Sequence, residues 1–224
     1  MNIQKPESSP NEPSATQAAY ILLRKMILTG EVPAGEKLKI ERLRSMLGTG
    51  ASPVREALSL LTSDMLVERI DQRGFRSAPA SLKNFKEILS LRCTMEDMAL
   101  RRSVERATPE WEEELVLSHH RMQKTNRKED VLGFEDAHKA FHMQLLNNAD
   151  SPVLLRFCSQ LYDLNIRYRY LAAEGVEYGK RDTAAEHRGI LEAAVRGDAK
   201  TAAAALLDHY KRTGSYLEEA LVAL

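Results

Sequence analysis

Cysteine is scarce in this chain: 224 residues contain two, Cys93 and Cys158. Neither lies in a Cys-x-x-Cys or Cys/His ligand spacing, which argues against a disulfide framework and a thiolate zinc ribbon; free thiols in a reducing compartment are expected. Long hydrophobic runs are missing as well. No stretch reaches the roughly 18 apolar residues of a membrane span, and the opening segment, rich in Pro, Ser and Asn, lacks the apolar centre of a signal peptide. A cytoplasmic protein with no membrane partner is expected, with residues 1–13 as a disordered arm. Charge of one sign does not dominate either, since 32 basic residues balance 32 acidic ones. Bulk charge therefore does not announce a nucleic-acid binder, although residues 14–80 hold ten Lys/Arg against seven Asp/Glu, a slightly basic front end. Beyond residue 80 there is no strand pattern, and the chain has no internal repeat.

What is present suits a small domain followed by a medium one: 43% hydrophobic and 29% charged residues are enough for real cores under a solvated surface. Ala19, Leu22, Leu23, Met26 and Ile27 recur at helical spacing up to Gly30. Leu38, Leu43 and Leu47 mark a short helix closed by Gly48. Ser52 is a candidate N-cap with Pro53 at the first helical position, ahead of the stripe Val54, Ala57, Leu58, Leu61 and Met65. Leu66–Ile70 and Phe75–Ala78 read as strands around the turn Asp71-Gln-Arg-Gly74. After the boundary at Ala78-Pro-Ala80, helical stripes run through 85–105, 109–126, 131–148, 152–172, 180–196 and 199–222, with breaks that include Gly175–Gly179. The expected fold is mainly α: a winged helix-turn-helix over 14–79 and an all-α bundle over 80–224.

Helices followed by a two-stranded wing place the third helix in a DNA major groove. Ser52 and Arg55 lie at that helix's N-terminus, where free N–H groups and the helix dipole favour phosphate. Arg73, Gly74 and Arg76 form the wing tip, able to reach phosphates or the minor groove, and Arg42 and Arg44 on the short second helix can anchor the backbone. Each arginine taken singly reads equally well as solvated surface; the ordered set favours double-stranded operator DNA as partner. The run I27-L-T-G-E-V-P-A-G-E-K-L38 with P53-V-R-E-A-L58 and R73-G-F75 resembles the winged helix-turn-helix domain of GntR-family transcription regulators. That family usually carries a DNA-contacting arginine two residues before the proline, where this chain has Ala51, so the resemblance implies that operator contacts shift to Arg55 and the wing.

In the helical region four of six histidines fall on apolar faces. His138 and His142, one turn apart, share a face with Phe134, Phe141 and Leu145; His187 is in phase with Ile190, Leu191 and Ala194, and His209 with Ala202, Ala205 and Leu206. A single inward histidine is usually a hydrogen-bonded core residue. Four of them read as a metal site, and imidazole donors suit a divalent transition metal, zinc or nickel, over magnesium or calcium. His119 and His120 read as surface. Arg92 shares a buried stripe with Phe85, Ile88, Met95 and Ala99; it is either paired to Glu96 one turn on or free to fork a ligand carboxylate. Asn165, Tyr168 and Arg169 continue the stripe of Leu154, Phe157, Cys158 and Leu161 and are candidates to line the same cavity, or an interface.

Arg92-x-x-Met-Glu96, F141-H142-x-x-L145, E186-H187, and G197-D198 followed by His209 are similar to the all-helical effector domain of the FadR-like branch, in its metal-binding subset. That subset usually has aspartate where His138 stands. An all-imidazole set leaves a divalent ion its full charge and favours an anionic further ligand. The resemblance implies a homodimeric, ligand-responsive regulator, a repressor by family habit, sensing a small carboxylic acid, with a dicarboxylate among the candidates. Two alternatives stay open: a metalloenzyme, against which Glu135 and Glu186 are both offset from the ligand face and so poorly placed as general bases, and a bundle whose zinc is purely structural.

Overall fold

The computed structural model describes residues 13–127, 129–172 and 181–222. The residues expected to form the arm, save Pro13, and the Gly175–Gly179 break lie outside the described residues. The chain divides into two compact units, Met1–Ala80 and Ser81–Leu224.

In the first unit α1 (Ala15–Leu28), β1 (Lys37–Leu38), α2 (Ile40–Leu47) and α3 (Ala51–Ser63) precede the hairpin β2 (Val67–Ile70) and β3 (Gly74–Ser77). Leu23 and Ile27 of α1 and Val54, Ala57, Leu58 and Leu61 of α3 are wholly buried, so two amphipathic stripes close on each other as their helical spacing predicts. Gly48 ends α2 at φ 60, a conformation glycine adopts without a Cβ penalty. The start of α3 differs from expectation. The N-cap is Gly50, not Ser52, and Pro53 occupies the third helical position. Proline is tolerated there because the first four helical N–H groups have no intrahelical acceptor. Ser52 instead donates its hydroxyl to Glu56 (3.3 Å), which also accepts from Thr16 of α1 (2.8 Å).

The wing is a three-stranded antiparallel sheet in the order β1-β3-β2. β1 was not legible as a strand: it is two residues long, and Leu38 pairs with Phe75 rather than opening α2. Gly74, at φ 90, lets the chain leave the turn at the wing tip.

Among the described residues the second unit holds only helices as regular elements: α4 (Leu82–Glu105), α5 (Pro109–Lys124), α6 (Val131–Leu146), α7 (Pro152–Leu171), α8 (Thr183–Val195) and α9 (Ala199–Val222). Every helix start here but that of α7 carries a side-chain cap. Ser81, Thr108, Asp130, Asp182 and Asp198 each accept a first-turn N–H through the side chain, at 2.8–3.3 Å. α4 packs on α9 and α7, α5 on α6 and α8, and α8 on α9. Leu100, Leu115, Phe141, Leu145, Ile190 and Leu206 form the dry centre of the core. Phe157, placed by periodicity on the inner stripe of α7, is 49% exposed, while its neighbour Cys158 is buried. Among the described residues no helix is long and apolar enough to cross a membrane.

Candidate metal and effector centre

On the first unit Arg55 and Ser52 are exposed on the first turns of α3, and Arg73 and Gly74 are exposed at the wing tip. Three of the arginines expected to face DNA are engaged within the unit. Arg42 reaches Glu36 at 3.0 Å, Arg44 reaches Glu41 at 2.9 Å, and Arg76 reaches Glu68 at 2.6 Å. Such half-exposed pairs are worth about 0–1 kcal/mol, so a phosphate can take the arginine over at little cost.

In the second unit α6 brings in His138 and His142, α8 His187 and α9 His209. One ligand atom from each lies within 4.8 Å of all the others, and all four residues are buried. The His138 Nε2 is 3.2 Å from the His142 Nε2 and 3.2 Å from the His187 Nε2. Two donors at about 2.0–2.1 Å from a shared ion sit about 2.8–3.4 Å apart along one edge of an octahedron or tetrahedron. His138 therefore stands at the spacing of neighbouring ligands from both His142 and His187, and the remaining pairs close to within 4.8 Å. Its protonation also fits. Burial pushes His138 and His142 well below the ordinary histidine range, helped by the neighbouring rings. Burial, then His209 and Arg169, hold His187 down at about 2, and burial lowers His209 too. Neutral imidazole is the form that binds a metal.

The outer nitrogens of three rings are held. The His142 Nδ1 meets the Tyr210 hydroxyl at 2.9 Å, the His138 Nδ1 meets the Tyr162 hydroxyl, and the His209 Nδ1 meets Glu186 Oε2 at 2.8 Å. These partners leave each Nε2 directed at the common centre. Burial works to raise the Glu186 pKa, but hydrogen bonds from His209 and Arg181 win and hold it at about 2. Arg181 binds Glu186 through Nε at 2.6 Å and the His209 carbonyl at 2.9 Å. Glu135 is buried, bonded to Arg169 at 2.9 Å, with its Oε2 4.0 Å from the His138 Nδ1. Both glutamates thus stand behind rings of the histidine cluster.

A cavity of about 90 Å³ opens beside the cluster, lined by His138, His187 and His209 together with Arg92, Asn165 and Arg169. Arg92 lies between the rings of Tyr210 and Tyr162, 4.1 and 4.5 Å from their centroids. Its Nε pairs with Glu96 at 2.6 Å, the first of the two readings its spacing left open, and its Nη1 donates to Asn165 at 3.0 Å. The Arg92 Nη2 and the Asn165 Nδ2 are buried with no hydrogen-bond partner among the described residues. Tyr168 does not belong to this wall. Its ring packs on Phe85 at 5.2 Å and its hydroxyl donates to Asn84 at 2.7 Å. It stands about 100° around α7 from Arg169, which does line the cavity.

Sequence reasoning missed Tyr162, Tyr210 and Glu186 as partners of the clustered histidines, and misplaced one histidine. His119 is buried, 5.2 Å from the Phe141 ring, whereas His120 is exposed. The signal was available: His119 follows Trp111, Leu115 and Ser118 on the buried stripe of α5.

Comparison with known proteins places the whole arrangement. Residues 15–76 match the family described as bacterial regulatory proteins of the gntR family, and residues 87–212 match the FCD domain. The chain is 34% identical over 215 residues to the HTH-type transcriptional regulator BphR of Paraburkholderia xenovorans (strain LB400), covering 93% of this chain and 87% of that protein. It is 33% identical over 156 residues to the HTH-type transcriptional repressor GlaR of Escherichia coli (strain K12), covering 68% of this chain and 71% of that one. Among solved structures, McbR/YncC of E. coli superposes with a TM-score of 0.79 at 22% identity, covering 93% of this chain and 99% of that one, which speaks to the fold. A winged helix-turn-helix ahead of a helical unit with a buried histidine cluster, matched along both units, makes this chain a member of the GntR family of transcription regulators, with an FCD domain as its second unit.

Proposed function

We propose that this regulator is a homodimeric repressor that reads operator DNA with α3 and the wing and senses a small carboxylic acid beside a divalent transition metal held by His138, His142, His187 and His209. The observation that carries the reading is the cavity itself. It has the neutral imidazole cluster on one wall, and on another two buried donors, the Arg92 Nη2 and the Asn165 Nδ2, with no partner among the described residues. Leaving a buried donor unmet costs about 1–3 kcal/mol. A carboxylate with one end toward the ion and another oxygen at Arg92 and Asn165 satisfies both. A purely structural zinc gives those donors no purpose.

Four imidazoles supply no negative charge, so zinc or nickel held there keeps its +2 and attracts an anion. When bound, the ion supplies Lewis acidity toward a carboxylate oxygen. The residues of the chain do the rest: the histidines present Nε2, Arg92 and Asn165 orient the acid, and Arg169 beside His138 adds a further positive charge to the wall. An acid that bridges helices α4, α7 and α9 biases their relative placement, and with it the spacing of the two DNA-reading units of a dimer. The names of the relatives, regulators and a repressor, support regulation over turnover.

The test compares His187→Ala and Asn165→Ala. Metal analysis of the purified chain should give about one transition metal per chain; His187→Ala should lose metal and effector response together. Asn165→Ala should keep the metal and bind small mono- and dicarboxylic acids less tightly by calorimetry. Undiminished effector response from a metal-free protein would refute the sensing role of the histidines.

A further inference from the structure

Donors and acceptors around the cluster decide where two of the imidazole protons must lie. Glu96 is completely buried and takes the Arg92 guanidinium on Oε1 and the Tyr210 hydroxyl on Oε2. An ionised carboxylate only accepts hydrogen bonds, and arginine stays protonated. The single proton of Tyr210 is therefore committed to Glu96. The same phenol oxygen is 2.9 Å from the His142 Nδ1, and with its proton committed it can only accept there. The His142 Nδ1 must then carry the proton, which leaves the lone pair on Nε2, the atom that faces the cluster. Glu186 does the same in one step. Its Oε2 stands 2.8 Å from the His209 Nδ1 and can only accept, so that nitrogen too is protonated and its Nε2 is free.

His138 lacks this arrangement. Its Nδ1 faces the Tyr162 hydroxyl and lies 3.3 Å from Arg169 Nη1, and Glu135 Oε2, at 4.0 Å, is beyond a hydrogen bond. The lock thus falls on one ligand of α6 and the ligand of α9, each backed by a carboxylate on a different element: Glu96 on α4 and Glu186 on α8.

We propose that Glu96, acting through Tyr210, and Glu186 are positioning residues that hold His142 and His209 in the Nδ1–H tautomer and so present both as ready ligands before an ion arrives. Free imidazole prefers neither site strongly, and hydrogen-bond partners of this kind are worth about 10–100-fold in metal affinity. The proposal rests on the reading that the four histidines share an ion. It adds that the chain, and not the ion, selects the tautomer. Because Glu96 also holds Arg92, an acid that draws on Arg92 acts on a group already linked to a metal ligand through Glu96 and Tyr210.

The experiment uses the full chain freed of metal, with long-range proton–nitrogen NMR correlations reporting which ring nitrogen of each histidine is protonated, and zinc affinity measured in competition with a chelator. In the unaltered protein His142 and His209 should both carry the proton on Nδ1. Tyr210→Phe, which keeps the ring against Arg92, should release the tautomer of His142 alone and weaken zinc about 10–100-fold. Glu186→Met, which removes both acceptor oxygens, should release His209 alone, with a similar loss. Circular dichroism checks that each variant is folded, and should one fail to fold, the tautomers of the unaltered protein decide by themselves. Nε2-protonated His142 or His209 in the unaltered protein, or two folded variants with unchanged tautomers and zinc affinity, would overturn the proposal. If the unaltered protein takes up no zinc while both tautomers are as expected, the shared-ion reading fails and the tautomer assignment stands.

Discussion

Arg92→Met is the most demanding test of the buried polar centre. The substitution keeps an unbranched side chain between Tyr162 and Tyr210 but removes the guanidinium. Glu96, with no exposed surface, then loses its charged partner at 2.6 Å and, among the described residues, keeps one donor, Tyr210. Breaking a buried pair from one side costs about 3–5 kcal/mol, because the remaining charge is stranded. Loss of the two ring contacts adds about 0.5–2 kcal/mol each. Exchanging both partners behaves differently. In Arg92→Met/Glu96→Gln no charge is stranded, and the glutamine oxygen still accepts from Tyr210. The double variant should keep mainly the ring-contact loss and recover about 2–4 kcal/mol relative to the single one. Urea unfolding of the metal-free chain, followed by circular dichroism, measures both. A single variant that loses under 1 kcal/mol, or a double variant no more stable than the single, would show that the ion pair is not the central polar element of the bundle. The single variant is a poor probe of the effector site, since it disturbs stability and ligand binding together; Asn165→Ala separates them.

Three further outcomes are expected. Arg55→Ala should weaken specific operator binding by about 1–3 kcal/mol, while Arg73→Ala should weaken all DNA sequences alike, as salt-dependent band-shift titrations would reveal; unchanged affinity in both would refute the assigned DNA face. The metal-free chain should lose stability on acidification. The four cluster histidines have folded pKa values lowered from 6.5, so below that value the unfolded chain takes up protons that the native chain refuses. Each contributes stability fully present above 6.5 and lost at up to about 1.4 kcal/mol per pH unit as pH falls toward its folded value, so a urea midpoint that does not fall between pH 7 and pH 5 would contradict neutral burial. Light scattering on residues 80–224 alone should give a dimer, since the helical unit is the one large enough for a stable interface; a monomer at micromolar concentration would place dimerisation elsewhere.

The periodicity of the sequence was enough to determine the helices of both units, the β2–β3 hairpin, and the inward direction of His138, His142, His187 and His209. Each of these follows from the spacing of residues along one element, since a helix repeats its faces every 3.6 residues and a turn places its glycine locally. The same rule offered Arg92 against Glu96 as one of two readings, because both lie on α4. The start of α3 escaped it, since a proline is acceptable anywhere in the first turn and so does not mark which residue is the cap. β1 escaped because two residues show no alternation. What the rule cannot reach is any relation between elements. Glu186 behind His209, Tyr210 between His142 and Glu96, and Tyr162 beside His138 and over Arg92 each join two or more helices far apart in the chain. Their contacts depend on crossing angles and on which side chains interdigitate. Tyr168 shows the converse, a residue on a plausible stripe whose hydroxyl finds its partner, Asn84, away from the cavity. The inward direction of the four histidines was therefore legible from the amino-acid order, while the shell that orients them came into being only when α4, α6, α7, α8 and α9 packed, because hydrogen bonds between side chains on different helices exist only at the distances that packing sets.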